Sequence, residues 1–169
     1  HLQHGDPAAL PLNYKRRVLA AIANKYKERK HLGIHVNPDA IARLADRGLA
    51  DDINAYLADE SISDDLKSDL LMVVWEGGLV DCVRTAIMLF SSPSTSEDVR
   101  SYCVLAVRFA GTPDHQKDLA QLALRIDGLS NAAIGHIFET LYPDSISADE
   151  ALSVLQKATE VGRYNYEFT

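Results

Sequence analysis

Residues 63–126 of this chain are written twice, with a shift of 33 places between the copies. The first copy reads SDDLKSDLLMVV from Ser63, and the second reads SEDVRSYCVLAV from Ser96. The like-for-like pairs at this shift are Asp65 with Asp98, Leu66 with Val99, Lys67 with Arg100, Ser68 with Ser101, Leu70 with Cys103, Val74 with Val107 and Gly78 with Gly111. A period near 33 residues is typical of stacked helical hairpins, because one hairpin can bury its apolar face only against a neighbour.

Capping residues and helix breakers divide residues 63–160 into three pairs of helices. The predicted helices span 64–76, 79–90, 97–110, 113–126, 131–141 and 148–160. Ser63 and Ser130 can cap helix starts, and the Gly77-Gly78 pair supplies the left-handed residue that commonly ends a helix. We therefore expect an all-α fold, an α-solenoid of antiparallel helical hairpins, with the second helix of each hairpin on the concave face.

Two helix starts have the spacing of a capping box, in which a Ser and a Glu three residues later bond each other's backbone N–H groups. Ser147 and Glu150 form one such pair. Ser94 and Glu97 form the other, although Ser96 could cap the same helix equally well. The start of this second helix stays open at this point, whereas Ser147 and Glu150 are expected to form their capping box.

A less regular region precedes the repeats. It contains a basic first helix at 13–30 and two short helices at 38–45 and 49–57. The predicted apolar stripe of the first helix is Tyr14, Val18, Leu19, Ile22 and Tyr26. Residues 1–62 then form an opening helical segment, 63–160 the repeats and 161–169 a tail, within one continuous domain. Because the chain starts at His1 and ends without a polar closing helix, we expect a fragment of a longer protein or a tail packed along the last hairpin.

Charge is spread unevenly along the chain, whose formal net charge is −7. Residues 1–30 carry seven basic and two acidic side chains, a net of +5, so residues 31–169 carry a net of −12. Three interpretations stay open: a site for an acidic partner on the first helix, internal complementarity between that helix and the rest, or a solvated helix face.

The composition predicts a soluble, cytoplasmic protein. The richest apolar stretch, 70–75, is far shorter than the roughly 18 residues of a membrane span, and no signal-peptide pattern precedes the first helix. Cys82 and Cys103 fall on predicted helices of different hairpins. They are expected to be small core residues rather than a disulfide pair.

The second copy, followed by its Gly-Thr-Pro hinge, resembles a HEAT repeat. The residues that carry the likeness are Ser96-Glu97-Asp98-Val99-Arg100, the inward positions Cys103, Ala106 and Val107, and Gly111-Thr112-Pro113. The resemblance covers about residues 63–160. It implies a HEAT-like superhelix that serves for binding or scaffolding.

More narrowly, the order of features is similar to the helical region that follows the NTPase module in large bacterial STAND or NACHT-type proteins. The features are Tyr14-Lys15-Arg16-Arg17, the pair Leu44-Ala45-Asp46 and Leu57-Ala58-Asp59, Glu76-Gly77-Gly78-Leu79, and Asp98-Val99-Arg100 through Gly111-Thr112-Pro113-Asp114. This resemblance implies a segment that senses a ligand or couples sensing to an NTPase. The chain contains no Gly-x4-Gly-Lys-Ser/Thr phosphate loop, so it cannot hydrolyse nucleotide by that route.

No catalytic, cofactor-binding or metal-binding constellation is recognisable in the sequence. His31 and His35 have the spacing of a helical metal pair, but Gly33 lies between them and no acidic third ligand is in register. Three pairs of acids fall in predicted first helical turns, where carboxylates favour the helix dipole: Asp51-Asp52, Asp64-Asp65 and Asp149-Glu150. The sequence therefore predicts that the protein is not an enzyme and has no cofactor.

Two function hypotheses from different classes follow. In the first, the chain is a non-catalytic module that binds a protein partner, or another part of a longer parent chain, through the second helices. The residues predicted to line that surface are Asp81, Arg84, Thr85, Gln116, Lys117 and Gln121. In the alternative, the chain binds nucleic acid in the manner of HEAT-like DNA glycosylases. That function needs a row of Lys and Arg, which the second helices lack.

Trp75, the single tryptophan, has two interpretations. It lies at the flank of a stripe containing Val73 and Val74, where a half-exposed tryptophan can anchor a partner. It can also pack against the preceding helices, near Ile53 and Tyr56, and we favour this packed arrangement.

Overall fold

The computed structural model describes residues 7–28 and 43–157 of the chain. These residues form eight α-helices and no strand, so the all-α prediction is confirmed. The helices are α1 Leu12–Glu28, α2 Ala50–Ala58, α3 Asp64–Glu76, α4 Val80–Ser91, α5 Glu97–Ala110, α6 Pro113–Ala123, α7 Asn131–Leu141 and α8 Ala148–Leu155. Short 3-10 helices at Pro7–Ala9 and Arg47–Leu49 precede α1 and α2.

The predicted helix boundaries differ most from the observed ones at the carboxyl ends. Helix α6 ends at Ala123, three residues before its predicted end, and α8 ends at Leu155. The predicted helix 38–45 lies mostly outside the described residues, and the tail 161–169, His31 and His35 lie entirely outside them.

Serine side chains begin three of the helices as predicted. Ser63 Oγ accepts from the Leu66 N–H at 3.3 Å, and Ser130 Oγ accepts from the Ala133 N–H at 3.2 Å. The capping box of Ser147 and Glu150 is confirmed, with both reciprocal bonds formed. At the end of α3, Gly78 has a φ of +59°, a conformation that few side chains tolerate.

Of the two alternatives left open for the start of α5, the structure has Ser96 at the cap, and the capping box of Ser94 and Glu97 does not form. Ser96 occupies the cap position of α5, and its side chain makes no capping bond. The Glu97 carboxylate accepts instead from Arg100 Nη1 at 2.7 Å and from the Ser130 backbone N–H at 2.8 Å. A charged donor forms a stronger bond with a carboxylate than a backbone amide does, which explains why Glu97 turns toward Arg100.

The helices pack mainly on their second neighbours in the chain. Helices α3, α5 and α7 contact each other in that order, and α2, α4 and α6 do the same. The helix α5 also contacts α4 and α6, so it lies at the centre of the described residues. Its fully buried positions are small or medium-sized: Val99, Cys103, Val104, Ala106 and Val107.

Equivalent positions of the two sequence copies have equivalent burial. Leu66, Leu70 and Val74 of α3 are at most 1% exposed, and their counterparts 33 residues later on α5 are equally buried. Even the polar pair Lys67 and Arg100 is alike, since each residue as a whole is 9% exposed.

The predicted apolar stripe of the first helix is right at most positions and wrong at one. Leu19, Ile22 and Tyr26 are buried, but Tyr14 is 50% exposed. Lys15 takes the inward position at the start of the stripe and is only 4% exposed. The buried side of α1 is formed at helical spacing by Lys15, Leu19, Ile22 and Tyr26. Its first position is therefore one residue later than predicted.

Substitution of Val107 tests the packing of α5. Val107→Asp would place a carboxylate at a fully buried position without a partner, a cost large enough to remove most of the roughly 5–15 kcal/mol that keeps a domain folded. We expect the cooperative thermal transition seen by circular dichroism to disappear. Met88→Asp, at a 68% exposed position, is the control and should melt like the wild type. A Val107→Asp melt equal to that of the wild type would contradict this packing.

Candidate protein-binding surface

The residues predicted to line a binding surface lie on two helices that pack against each other. Asp81, Arg84 and Thr85 belong to α4, and Gln116, Lys117 and Gln121 belong to α6. Helix α4 contacts α6 directly. The structure therefore brings the six residues to one pair of neighbouring helices, and we call this region the α4–α6 surface.

An ion pair joins the two halves of the α4–α6 surface. Arg84 Nη2 of α4 lies 3.9 Å from Asp118 Oδ2 of α6, with side chains that are 75% and 50% exposed. Lys117 makes a second pair with Asp114, one turn away on α6, at 3.5 Å. Such exposed pairs contribute at most about 1 kcal/mol, so these charges remain available to a partner.

The other predicted residues of the α4–α6 surface are also accessible. Asp81 and Gln121 are exposed, whereas Thr85 and Gln116 are half-buried. The backbone carbonyl of Asp81 accepts from Asn54 Nδ2 at 3.2 Å, which ties the start of α4 to α2.

Sequence reasoning missed one prominent residue of this surface. Met88 of α4 is 68% exposed and follows Asp81, Arg84 and Thr85 at helical spacing. The spacing alone could have identified it, because a residue one turn beyond two exposed polar ones shares their face. The third predicted helix of the surface, α8, exposes Leu152 and Leu155.

Part of the basic first helix is matched by acids of the following segment. Lys15 Nζ lies 3.2 Å from Asp46 Oδ2, and its own side chain is only 5% exposed. Arg16 Nε lies 2.9 Å from Asp52 Oδ2. Lys27 Nζ lies 3.8 Å from Asp59 Oδ2. The interpretation of internal complementarity therefore holds for these three cations.

Two carboxylates that fasten α1 and its neighbours differ in their electrostatics. The Gly48 N–H and then Lys15 lower the pKa of Asp46. Burial raises the pKa of Asp69, whose carboxylate accepts a hydrogen bond from the Tyr26 hydroxyl of α1. Burial and the nearby Asp69 also raise the pKa of Tyr26. Folding thus shifts the protonation equilibrium of Asp69 toward its neutral form and that of Asp46 toward its ionised form.

Neither cysteine has the environment of a reactive thiol. Cys82 and Cys103 are both free and fully buried, so the prediction that they are core residues is confirmed. Burial raises the pKa of Cys82 to about 11 and that of Cys103 further still. Both thiols stay protonated near neutral pH and have little nucleophilic character.

The ring of Trp75 is half-buried and stacks on Tyr102 of α5, with centroids 5.4 Å apart. Its indole Nε1–H donates to Glu76 Oε1 at 2.9 Å. The sequence analysis did not identify Tyr102 as a neighbour, because the two residues lie on different copies of the repeat.

Within residues 7–28 and 43–157, no group of three or more His, Cys, Asp or Glu side chains could hold a metal ion. Over the same ranges, every helix is too short or too polar to cross a membrane. The three acid pairs at predicted first turns do occupy first helical turns, on α2, α3 and α8.

The pH dependence of stability should separate the two carboxylates. Asp69→Asn removes a charge that burial disfavours. The free energy of unfolding of the variant should therefore exceed that of the wild type most near neutral pH. That gain should shrink as the pH falls through the raised pKa of Asp69 toward 3.8, where the wild-type carboxyl becomes protonated.

Asp46→Asn is the matched control with the opposite sign. In the wild type the pKa of Asp46 is lowered, so the ionised carboxylate stabilises the fold fully above pH 3.8. This stabilisation is lost only as the pH falls below that value. Urea denaturation between about pH 3 and 7 measures both variants. A difference in free energy of unfolding between Asp69→Asn and the wild type that stays constant with pH would contradict the raised pKa of Asp69.

Comparison of the chain with family models, with curated proteins and with solved structures finds no match.

Proposed function

We propose that the chain is a non-catalytic scaffold that binds a protein partner, or another part of a longer parent chain, through a HEAT-like α-solenoid. The observation that carries the proposal is the α4–α6 surface, where exposed charges of two adjacent helices are joined by Arg84 and Asp118. A solenoid uses the exposed side chains of such successive helices to bind its partners.

The bonds between helices support a stacked arrangement, because several of them span about one repeat length. Glu97 accepts from the Ser130 N–H, 33 residues later, and Lys157 donates to the Leu124 carbonyl, 33 residues earlier. Cys82 Sγ lies 3.6 Å from the Ala50 carbonyl oxygen, 32 residues earlier. Bonds at one period are expected when each hairpin rests on the next.

The chemistry of the described residues favours binding over catalysis. The buried thiols are protonated, and His115 is engaged in a capping box with Thr112 at the start of α6. The acid pairs lie in first helical turns, where they complement the helix dipole. This distribution supports a protein that is not an enzyme.

A role as the sensing or coupling segment of a bacterial STAND-type NTPase is proposed on the sequence resemblance alone. In that role the α4–α6 surface would contact other parts of the parent chain. Exposed and weakly paired charges suit such contacts, because they can exchange partners at little cost.

The nucleic-acid alternative has weaker support. Residues 43–157 carry 9 basic and 19 acidic side chains, a net of 9 − 19 = −10. Arg84, Lys117 and Lys157, three of the cations of the second helices, each lie within 4 Å of a carboxylate. A phosphate backbone would be repelled by this surface, since its binding depends on neutralisation by Lys and Arg.

Charge reversal tests the proposed surface. The purified chain and an Asp81→Lys, Lys117→Glu double variant serve as baits in an extract of the source cells. We expect a protein captured by the wild type to be lost by the double variant. Asp144→Lys with Arg125→Glu is the control, because it reverses two exposed charges elsewhere and also leaves the net charge unchanged.

The control pair should capture the same protein as the wild type, and circular dichroism should report the same fold for all three baits. Equal capture of the protein by the wild type and by the Asp81→Lys, Lys117→Glu variant would contradict the proposed surface.

Removal of Glu97 tests the stacking. Glu97→Ala leaves Arg100, which is 11% exposed, without its carboxylate and leaves the Ser130 N–H without its acceptor. We expect a loss of about 2–3 kcal/mol in the free energy of unfolding. Glu139→Ala is the control, since its pair with Arg108 is exposed and should contribute less than about 1 kcal/mol. Equal losses in free energy of unfolding for Glu97→Ala and Glu139→Ala, measured by urea denaturation, would count against a bond that joins α5 to α7.

A further inference from the structure

One side of the central helix α5 carries apolar side chains that the other helices leave accessible. Tyr102 and Leu105 are half-buried and Phe109 is 59% exposed. Together with the exposed Asp98 they follow one another at i, i+4, i+7 and i+11. This spacing places all four on one side of the helix, and we call them the α5 stripe.

An aromatic ring from the neighbouring helix α3 extends the α5 stripe. Trp75 of α3 stacks on Tyr102. The cap residue of α7, Tyr142, is 50% exposed and comes 33 residues after Phe109. Aromatic residues make up only 7% of the chain, yet four of them lie accessible on α3, α5 and the end of α7. Such a concentration of Trp, Tyr and Phe is typical of the energetic centre of a protein interface.

The edge of this aromatic region is acidic. Asp98 and Glu76 make no ion pair with any residue of 7–28 or 43–157. The one arginine at the edge, Arg108, lies 5.1 Å from the Phe109 ring and is bound by Glu139. A partner that covers the stripe therefore meets two uncompensated carboxylates and gains by carrying positive charge.

We propose that the α5 stripe binds an amphipathic helix with basic flanks, supplied by the protein partner. Tyr102 and Phe109 are seven residues apart, about 10 Å along the helix, which matches two turns of an apolar stripe on the partner. Basic side chains beside that stripe would pair with Asp98 and Glu76. A second copy of this chain suits the stripe less well, because its acidic edge would meet like charges.

This inference rests on the proposed protein-binding function, but it uses a different set of residues from the α4–α6 surface. The two surfaces can therefore fail separately. If charge reversal on α4 and α6 abolishes partner capture while the α5 stripe binds no helix, the scaffold function stands and the stripe assignment is wrong.

The experiment uses a synthetic helical peptide without tryptophan, with Leu at i, i+3, i+4 and i+7 and Lys on both flanks. Trp75 is the single tryptophan of the chain, so its fluorescence reports directly on the α5 stripe during a titration. We expect a saturable change, with calorimetry giving the same Kd. A peptide with Glu in place of Lys should bind at least about tenfold more weakly.

Variants of the chain locate the site. Phe109→Ser and Leu105→Gln alter accessible side chains and should each weaken the Lys peptide at least about tenfold. Tyr14→Ser, a loss of exposed apolar surface on α1, should leave the Kd unchanged. Circular dichroism checks that all three variants keep the wild-type fold.

Three results would overturn the inference. The first is an absence of binding in both fluorescence and calorimetry. The second is equal affinity of the Lys peptide for Phe109→Ser and the wild type, or of the Glu and Lys peptides for the wild type. The third is a dimer in sedimentation that Phe109→Ser dissociates, which would assign the α5 stripe to a second copy.

Discussion

The burial of helix α5 against four other helices is the constraint on which the rest of the structure depends. Small side chains let several helices approach α5 closely, and apart from Arg100 the buried positions of α5 are Val, Cys, Ala and Ser rather than Leu or Phe. The same close packing explains the role of Glu97. At the start of α5 its carboxylate neutralises the buried Arg100 and accepts from the first turn region of α7. One residue thus satisfies a buried charge and positions the next helix.

Internal neutralisation also explains the uneven charge of the sequence. Lys15, Arg16 and Lys27 face Asp46, Asp52 and Asp59 across the junction between α1 and the segment that follows. The Lys15 pair matters most, because a buried ammonium without its carboxylate would cost several kcal/mol, whereas the exposed pairs contribute little. Cations that are engaged in this way attract few phosphates, which is a physical reason to favour a protein partner over nucleic acid.

The features that depend on local sequence patterns could be predicted. Predictions were wrong or incomplete where a residue distant in the sequence determines the position of a side chain. Helix positions and most inward residues of α3 and α5 follow from periodicity and caps, and the structure confirms them, but Tyr102, also predicted to face inward, is only half-buried. The inward face of α1 did not follow, because an acid 31 residues away draws Lys15 inward in place of Tyr14. The partner of Glu97 likewise could not be predicted, since only the fold brings Ser130 beside it. For the candidate site, the exposure of Asp81, Arg84, Lys117 and Gln121 could be predicted from helical spacing. Met88 has the same spacing and could have been included on that ground.

The two accessible surfaces differ in what they can contribute to binding. The charges of the α4–α6 surface are paired with one another, so a partner must exchange one exposed ion pair for another and gains little free energy. The aromatic rings around the α5 stripe are already ordered by stacking, so little conformational entropy remains to be lost when a partner covers them. Affinity should therefore come chiefly from α5 and selectivity from the charged surface. A fold in which the most buried helix also presents the aromatic stripe holds that stripe rigidly, because α5 cannot move without disturbing the four helices packed on it.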